Sequence, residues 1–386
     1  MRARYVGILR LLMRGFPALA ACGLVLGTTP AAAGDALLER PALMSKRAAA
    51  SMMLTIARAG NRLVAAGERG QVVYSDDCGA VWRQAAVPVS VTLTALQFVD
   101  SRLGWAVGHS GVVLATRDGG ITWTRQLDGS QAAQLALLSA QKSQDAAGAS
   151  TQAADPQNTA SQQALRDAER LVAEGSDKPL FALHFWTSQR GMVVGAFGLA
   201  LSTTDGGQTW EWMGDRIPNP KGLHLYALQA RGEAVFIVGE QGFIAHASRA
   251  DGVFEKVASP YAGSFFGVLP TAPGGDAELV LFGLRGNAFR GDGKAWTALD
   301  TGGTSSLVSG LALGHQDFLL FNADSQVLRW QAGATVGRKV VGISPVATVH
   351  ASVAACEGRV ALAGARGVAV VAANSNGGAA TKAEQQ

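Results

Sequence analysis

Three eight-residue stretches of the chain share one pattern. Ser75–Trp82, Thr116–Trp123 and Thr203–Trp210 each read Ser/Thr-x-Asp-x-Gly-x-x-Trp, and each follows a short β-rich run. An Asp at the third position, here Asp77, Asp118 and Asp205, accepts hydrogen bonds from backbone N–H groups across a turn and so holds a tight hairpin. Gly79, Gly120 and Gly207 supply a backbone conformation closed to residues with a Cβ. The leading hydroxyl adds a local hydrogen bond. Trp82, Trp123 and Trp210 open the next strand with a large apolar face. The pattern assigns these nine residues a structural role.

The context recurs more often than the octapeptide. An apolar strand ends in Gly-x-x-Gly at Gly67–Gly70, Gly108–Gly111, Gly195–Gly198, Gly239–Gly242, Gly283–Gly286 and Gly364–Gly367, with a degenerate copy at Asn322–Ser325. These units repeat at intervals of about 40–45 residues, with one gap about twice as long, which is the spacing of four-stranded propeller blades. In the second unit, apolar alternation and β-branched residues predict strands over Leu93–Val99, Gly104–Val107, Val112–Thr116 and Thr122–Leu127. The later units lose the octapeptide: the fourth keeps Asp251-Gly252 with Phe254 in place of Trp, and the fifth, Asp292–Trp296, is one residue short. The fold expected is all-β, a seven-bladed β-propeller over residues 34–378 followed by a disordered tail, 379–386. The seventh unit has no fourth strand, and an open sheet edge invites association. Residues Ala36–Met44 are therefore expected to supply the missing outer strand and close the ring as a monomer.

Residues 128–178 interrupt the repeat and are rich in Ala, Gln, Ser and Asp. Asp155 as cap, Pro156 in the first turn, the partial apolar face of Leu165, Leu171 and Val172, and Gly175 as stop predict one helix. Ala132–Leu138 suggests another, and 139–154 reads as mobile low-complexity chain. The insertion is either a solvated spacer or a helical flap.

The first 33 residues have the form of a secretory leader: Arg2, Arg4, Arg10 and Arg14, then an apolar run, then Ala31–Ala33 as a cleavage site. Lipidation at Cys22, after Leu19-Ala-Ala, and an uncleaved anchor are the alternatives. All three place the domain outside the cytoplasm, periplasmic or otherwise extracytoplasmic. The chain has 33 Lys+Arg against 29 Asp+Glu. The leader alone carries the excess, so the remainder is balanced and offers no electrostatic case for a nucleic-acid partner. No other stretch is long and apolar enough to span a bilayer. Cys78 and Cys356 fall on turns of neighbouring blades on one face, but one turn is near the rim and the other nearer the axis. That separation favours two unpaired thiols over a disulfide. Cys and His do not occur at metal-ligand spacing, so neither metal nor cofactor is expected.

Propeller geometry puts the Gly-x-x-Gly loops and the insertion on one face and the octapeptide turns on the other. Arg69, Arg285 and Arg366 occupy the same loop position, and His109 sits one position earlier in its own loop. Together they form a candidate basic patch for a carboxylate or acidic tail. The alternative is solvated loop arginines paired with neighbours such as Glu68.

The octapeptide resembles the Asp-box, or BNR repeat. Sialidases are the best-known enzymes that carry it, but they also need an arginine cluster, a Tyr nucleophile helped by a Glu, and an Asp acid/base. Only Tyr74, Tyr226 and Tyr261 are available after the leader, and Arg216-Ile-Pro218 lies after the third box rather than before the first. The sialidase-like glycoside hydrolase is the alternative reading, with Tyr226 or Tyr261 as its nucleophile. A passive carbohydrate- or peptide-binding module is a third. The nearer resemblance is to secreted single-propeller proteins related to photosystem II assembly and stability factors, carried by Gly67–Trp82, Gly104–Trp123 and Gly195–Trp210. That resemblance implies a non-catalytic scaffold that binds a precursor subunit, partly through an arginine patch, and helps assemble an envelope or membrane-protein complex.

Overall fold

The computed structural model of the chain describes residues 33–148, 156–272, 278–314, 316–340 and 346–372. Apart from Ala33, the expected leader lies outside them, as do the tail 379–386 and the predicted cap Asp155. Seven antiparallel sheets follow one another along the chain, six of four strands and a seventh of three. Each runs outward in sequence order. The second blade has strands Leu93–Phe98, Gly104–Gly108, Val113–Thr116 and Thr124–Leu127, close to the sequence expectation. The first strand of every blade touches the first strands of its two neighbours, and the last blade returns to the first. These are the innermost strands of a closed ring.

The core is divided among seven seams. Each apolar cluster draws on two adjoining blades, from Leu93, Leu114 and Val64 between one and two to Phe318, Leu320 and Phe282 between five and six. A blade therefore buries both faces only if the ring is complete. The seam between seven and one is small-residue packing, with Ala65, Ala355, Ala361 and Ala363 around Met53 and Leu63.

Closure differs from expectation in two ways. The seventh blade keeps three strands among the described residues, and Ala36–Met44 does not extend it. That segment runs along blades one and two instead. Ser90 N–H donates to Leu37 O at 2.9 Å, Ala42 N–H donates to Val87 O at 3.0 Å, and Arg125 donates to Leu38 O. Leu38 and Ala42 are buried there among Val87, Val89 and Val91, while Ala48 and Ala49 pack on Val368 and Val370 of blade seven. Second, Cys78 and Cys356 are joined in a disulfide, with Cα atoms 6.0 Å apart. The expectation of free thiols fails because each box turn leans across its seam onto the preceding blade. In box two, Arg62 of blade one donates to Asp118 O and Gly119 O, both at 3.1 Å. In box three, Trp105 of blade two donates to Gly206 O. The rim turn of blade one thus reaches inward over blade seven.

The insertion is packed rather than a free spacer. Asp128 and Gln131 cap each other's backbone N–H groups at 3.0 Å, a reciprocal capping box. The first helix runs Gly129–Gly148, longer than Ala132–Leu138 and helical through part of the stretch expected to be mobile. The second runs Pro156–Glu174 and stops at Gly175, as read from the sequence. Ala136 and Ala140 meet Ala168, Leu165 and Leu171, and the pair rests on Trp212 of blade three's outer strand.

Candidate binding face

Five of the six Gly-x-x-Gly loops share one geometry; in the sixth, which carries Arg366, Gly364 pairs directly with Gly367 across a tighter turn. Their third residues, Arg69, Ser110, Phe197, Gln241 and Arg285, all have φ between 51° and 58°, a left-handed conformation uncommon for non-glycine residues. The first glycine is demanded by packing: a Cβ on Gly67 would run into Met52 O, where the loop meets the start of the innermost strand. Loop N–H groups of Glu68, His109, Glu240 and Leu284 donate to the residue just before that strand. The beginnings of the innermost strands therefore lie beside these loops, on the face where the insertion also emerges.

Arg69, His109, Arg285 and Arg366 are all exposed on these loops. None of the three arginines has a carboxylate within ion-pair distance among the described residues. The loop glutamates are occupied elsewhere: Glu68 accepts from Met52 N–H at 3.1 Å and Glu240 from His224 N–H at 2.9 Å. Ring order places Arg366, Arg69 and His109 on three successive blades, while Arg285 stands apart across blade six.

A second feature of the same face was not anticipated. All seven innermost strands carry a register break at their second residue. In blades two and seven that residue ties the ring together. Thr94 donates to Leu180 O at 2.7 Å, and His350 Nδ1 lies 2.9 Å from Met53 O. In blades three, four and five it is aromatic. Phe181 and Tyr226 have ring centroids 5.5 Å apart, and Tyr226 and Phe266 5.6 Å. His224 sits 4.7 Å from the ring of Phe197, and its Nδ1 accepts from Phe197 N–H at 3.0 Å. Phe197 is 56% exposed. Lys178, at the end of the insertion, lies over its ring at 5.5 Å and pairs with Glu174 at 3.0 Å. Burial pushes the Lys178 ammonium down, but the hydrogen bonds it donates to Asp177 and Glu174 outweigh that, so its pKa is raised. The sequence signal was the shared register: each aromatic directly follows the first buried residue of its strand.

On the opposite face the box residues behave as their chemistry requires. Asp118 Oδ1 accepts from Ile121 N–H and Thr122 N–H, both at 3.0 Å, and Asp205 Oδ1 accepts from Thr209 N–H at 2.9 Å. Asp77 Oδ1 accepts from Val81 N–H at 2.9 Å. Gly79, Gly120 and Gly207 have φ of 87°, 88° and 87°. Trp123 and Trp210 are buried and Trp82 half-buried.

The tyrosines do not assemble a glycosidase site. Tyr226 has apolar rings and His224 around it, and burial together with the Glu240 charge raises its pKa, the reverse of what a phenolate nucleophile needs. Tyr261 packs on Phe265 and Phe289, and Arg62 covers Tyr74. Arg216 donates to Asp251 O, and Ile217 is buried in a seam. His184, on the innermost strand of blade three, is pushed by burial down to about 4 and is neutral at ordinary pH. Among the described residues, no group of three His, Cys, Asp or Glu side chains is placed to hold a metal ion.

A family model described as photosynthesis system II assembly factor YCF48 matches residues 55–147 and 164–307, more than half of the chain. The chain belongs to this family. The match covers the first five blades and stops where the sixth begins, and it leaves out part of the insertion. Among curated proteins, the chloroplastic photosystem II stability/assembly factor HCF136 of Cyanidioschyzon merolae is 38% identical over 88 residues, 22% of this chain and 19% of that relative. The match thus spans about a fifth of the curated relative's length. Among solved structures, YCF48 bound to D1 peptide superposes with a TM-score of 0.59 at 13% identity, over 86% of this chain and 98% of the other. Virginiamycin B lyase from Staphylococcus aureus superposes equally well, at 0.59 and 10% identity, over 86% and 97%. Structural likeness at such identities shows the propeller fold and no more.

Proposed function

We propose that this chain is an exported, non-catalytic propeller that binds a protein segment on its loop-and-insertion face and helps assemble an envelope or membrane-protein complex. Membership of an assembly-factor family supports the class of role. The observation that carries the binding face is the set of exposed loop arginines, Arg69, Arg285 and Arg366, which have no carboxylate partner among the described residues, while the neighbouring glutamates are engaged elsewhere. Guanidinium groups free of internal partners suit a peptide carboxylate, which they grip with paired N–H donors. The solved relative with a D1 peptide makes a segment of a membrane subunit the natural occupant, and His109, whose pKa burial lowers, borders the patch as a neutral side chain.

Photo-crosslinking in the native host tests this. A crosslinking amino acid at Arg285 should capture a membrane-protein subunit. The same residue at Val81, an exposed position on the opposite face, should capture none. Equal capture from both faces, or none from either, would count against the reading.

A further inference from the structure

The arginines account for charge, and beside them runs a belt of rings that touch from blade to blade while staying half-buried. In blades two and seven, the second residue of the innermost strand hydrogen-bonds the next blade. In blades three to five that position is given to Phe181, Tyr226 and Phe266, which are only half-buried. Phe197 adds a largely exposed ring on a loop residue with φ of 55°. An aromatic residue held exposed in a left-handed conformation costs stability twice, through solvent contact and through backbone strain, and such costs gather at binding sites.

We infer that these rings form an apolar subsite for the same ligand: a carboxylate-bearing extended peptide whose aromatic or large aliphatic side chain is held against the row of rings formed by Phe197, His224 and Tyr226. This rests on the proposed binding face and divides it into two poles. The unpaired arginines of blades five, seven and one take the charge, and the aromatic belt of blades three to five takes the anchor. Arg285 stands at the junction, on the blade that also supplies Phe266. Flat rings supply contact area with little rotamer loss, as expected of residues that anchor a ligand.

Two ten-residue acidic peptides, identical except for one Phe or Ala, distinguish the poles by calorimetry with the full chain. The native protein should prefer the Phe peptide by about tenfold, the scale of one aromatic contact with its buried area. Phe197→Gly combined with Tyr226→Ala should erase that preference while retaining the salt dependence. Gly is at ease at φ of 55°, so the loop should survive the change, and an unchanged melting temperature would show that it has. Arg69→Glu with Arg366→Glu should weaken both peptides equally and keep the preference. A preference that persists in the Phe197/Tyr226 variant, or that is absent from the native protein, overturns the subsite alone. If neither peptide binds the native protein, the subsite and the binding face both fall.

Discussion

Cys78 in the box hairpin of blade one and Cys356 in the first turn of blade seven are bonded to each other across 278 positions of sequence, with Cα atoms 6.0 Å apart. The bond sits at the seam where the two ends of the ring meet. Elsewhere a box turn is fastened to the preceding blade by Arg62 or Trp105 hydrogen bonds. Here the disulfide takes that place, on a seam of mostly alanine packing. Alanine buries far less apolar area than the Phe and Leu side chains of the other seams. The clasp therefore compensates for a thin core at a seam where blade seven has three strands among the described residues.

Cys78 has φ of 62°, at the position where the other two boxes have Gly119 and Gly206. Cys78→Gly consequently restores the backbone preference of the turn while removing the bond. The expected net loss is about 2–5 kcal/mol of stability, the range for native disulfides. Melting curves with and without reductant check this. Reductant should lower the melting temperature of the native chain to near that of the variant and leave the variant unchanged.

Asp205 is held at about 2 by the Thr209 hydroxyl and N–H. Its carboxylate pKa is depressed in the folded state, so its contribution is complete above the ordinary carboxylate value of about 4. It is lost as pH falls through about 2. Asp205→Asn should cost about 1–2 kcal/mol at neutral pH, from weakened hydrogen bonds. Urea midpoints measured from pH 5 to pH 2 should show the gap between native and variant chains closing as the pH falls. A gap that widens on acidification would contradict the assignment.

The ends of the insertion lie together, because a Cβ placed on Gly129 would meet Ser176 O. Removing 130–175 should therefore leave the ring closed, at the cost of Ala132, Leu135 and Leu171 in the seam between blades two and three. Circular dichroism should show loss of helix with the strand signal retained, and the melting temperature should move by only a few degrees. Collapse of the cooperative transition would mean that the helices on Trp212 are part of the core.

Much of the ring was legible because it is written in local chemistry. The box residues and the Gly-x-x-Gly loops each demand a backbone state that few residues adopt, so their spacing reads directly as blades. Gly175 stopped its helix for the same reason. What was missed depends on how distant pieces meet. Leu38 and Ala42 could have served any apolar edge, and only the assembled seam shows that Val87 and Val89 receive them. The inward lean of the box turn, which brings Cys78 to Cys356, is set by the blade behind it rather than by the octapeptide. The capping pair Asp128 and Gln131 was present in the sequence and, read as a capping box, would have started the first helix at Gly129. The aromatic belt was hidden because a bulge breaks the alternation of each strand at that residue.

Equilibrium binding of an acidic peptide with a free C-terminal carboxylate, titrated into the native chain and into the Arg69→Glu/Arg285→Glu/Arg366→Glu variant at low and moderate salt, tests the central claim most directly. Binding by the native chain should be salt-sensitive, and a variant that melts at the same temperature should bind at least tenfold more weakly, since each removed charge pair is replaced by repulsion. Equal affinity for the two proteins would contradict it.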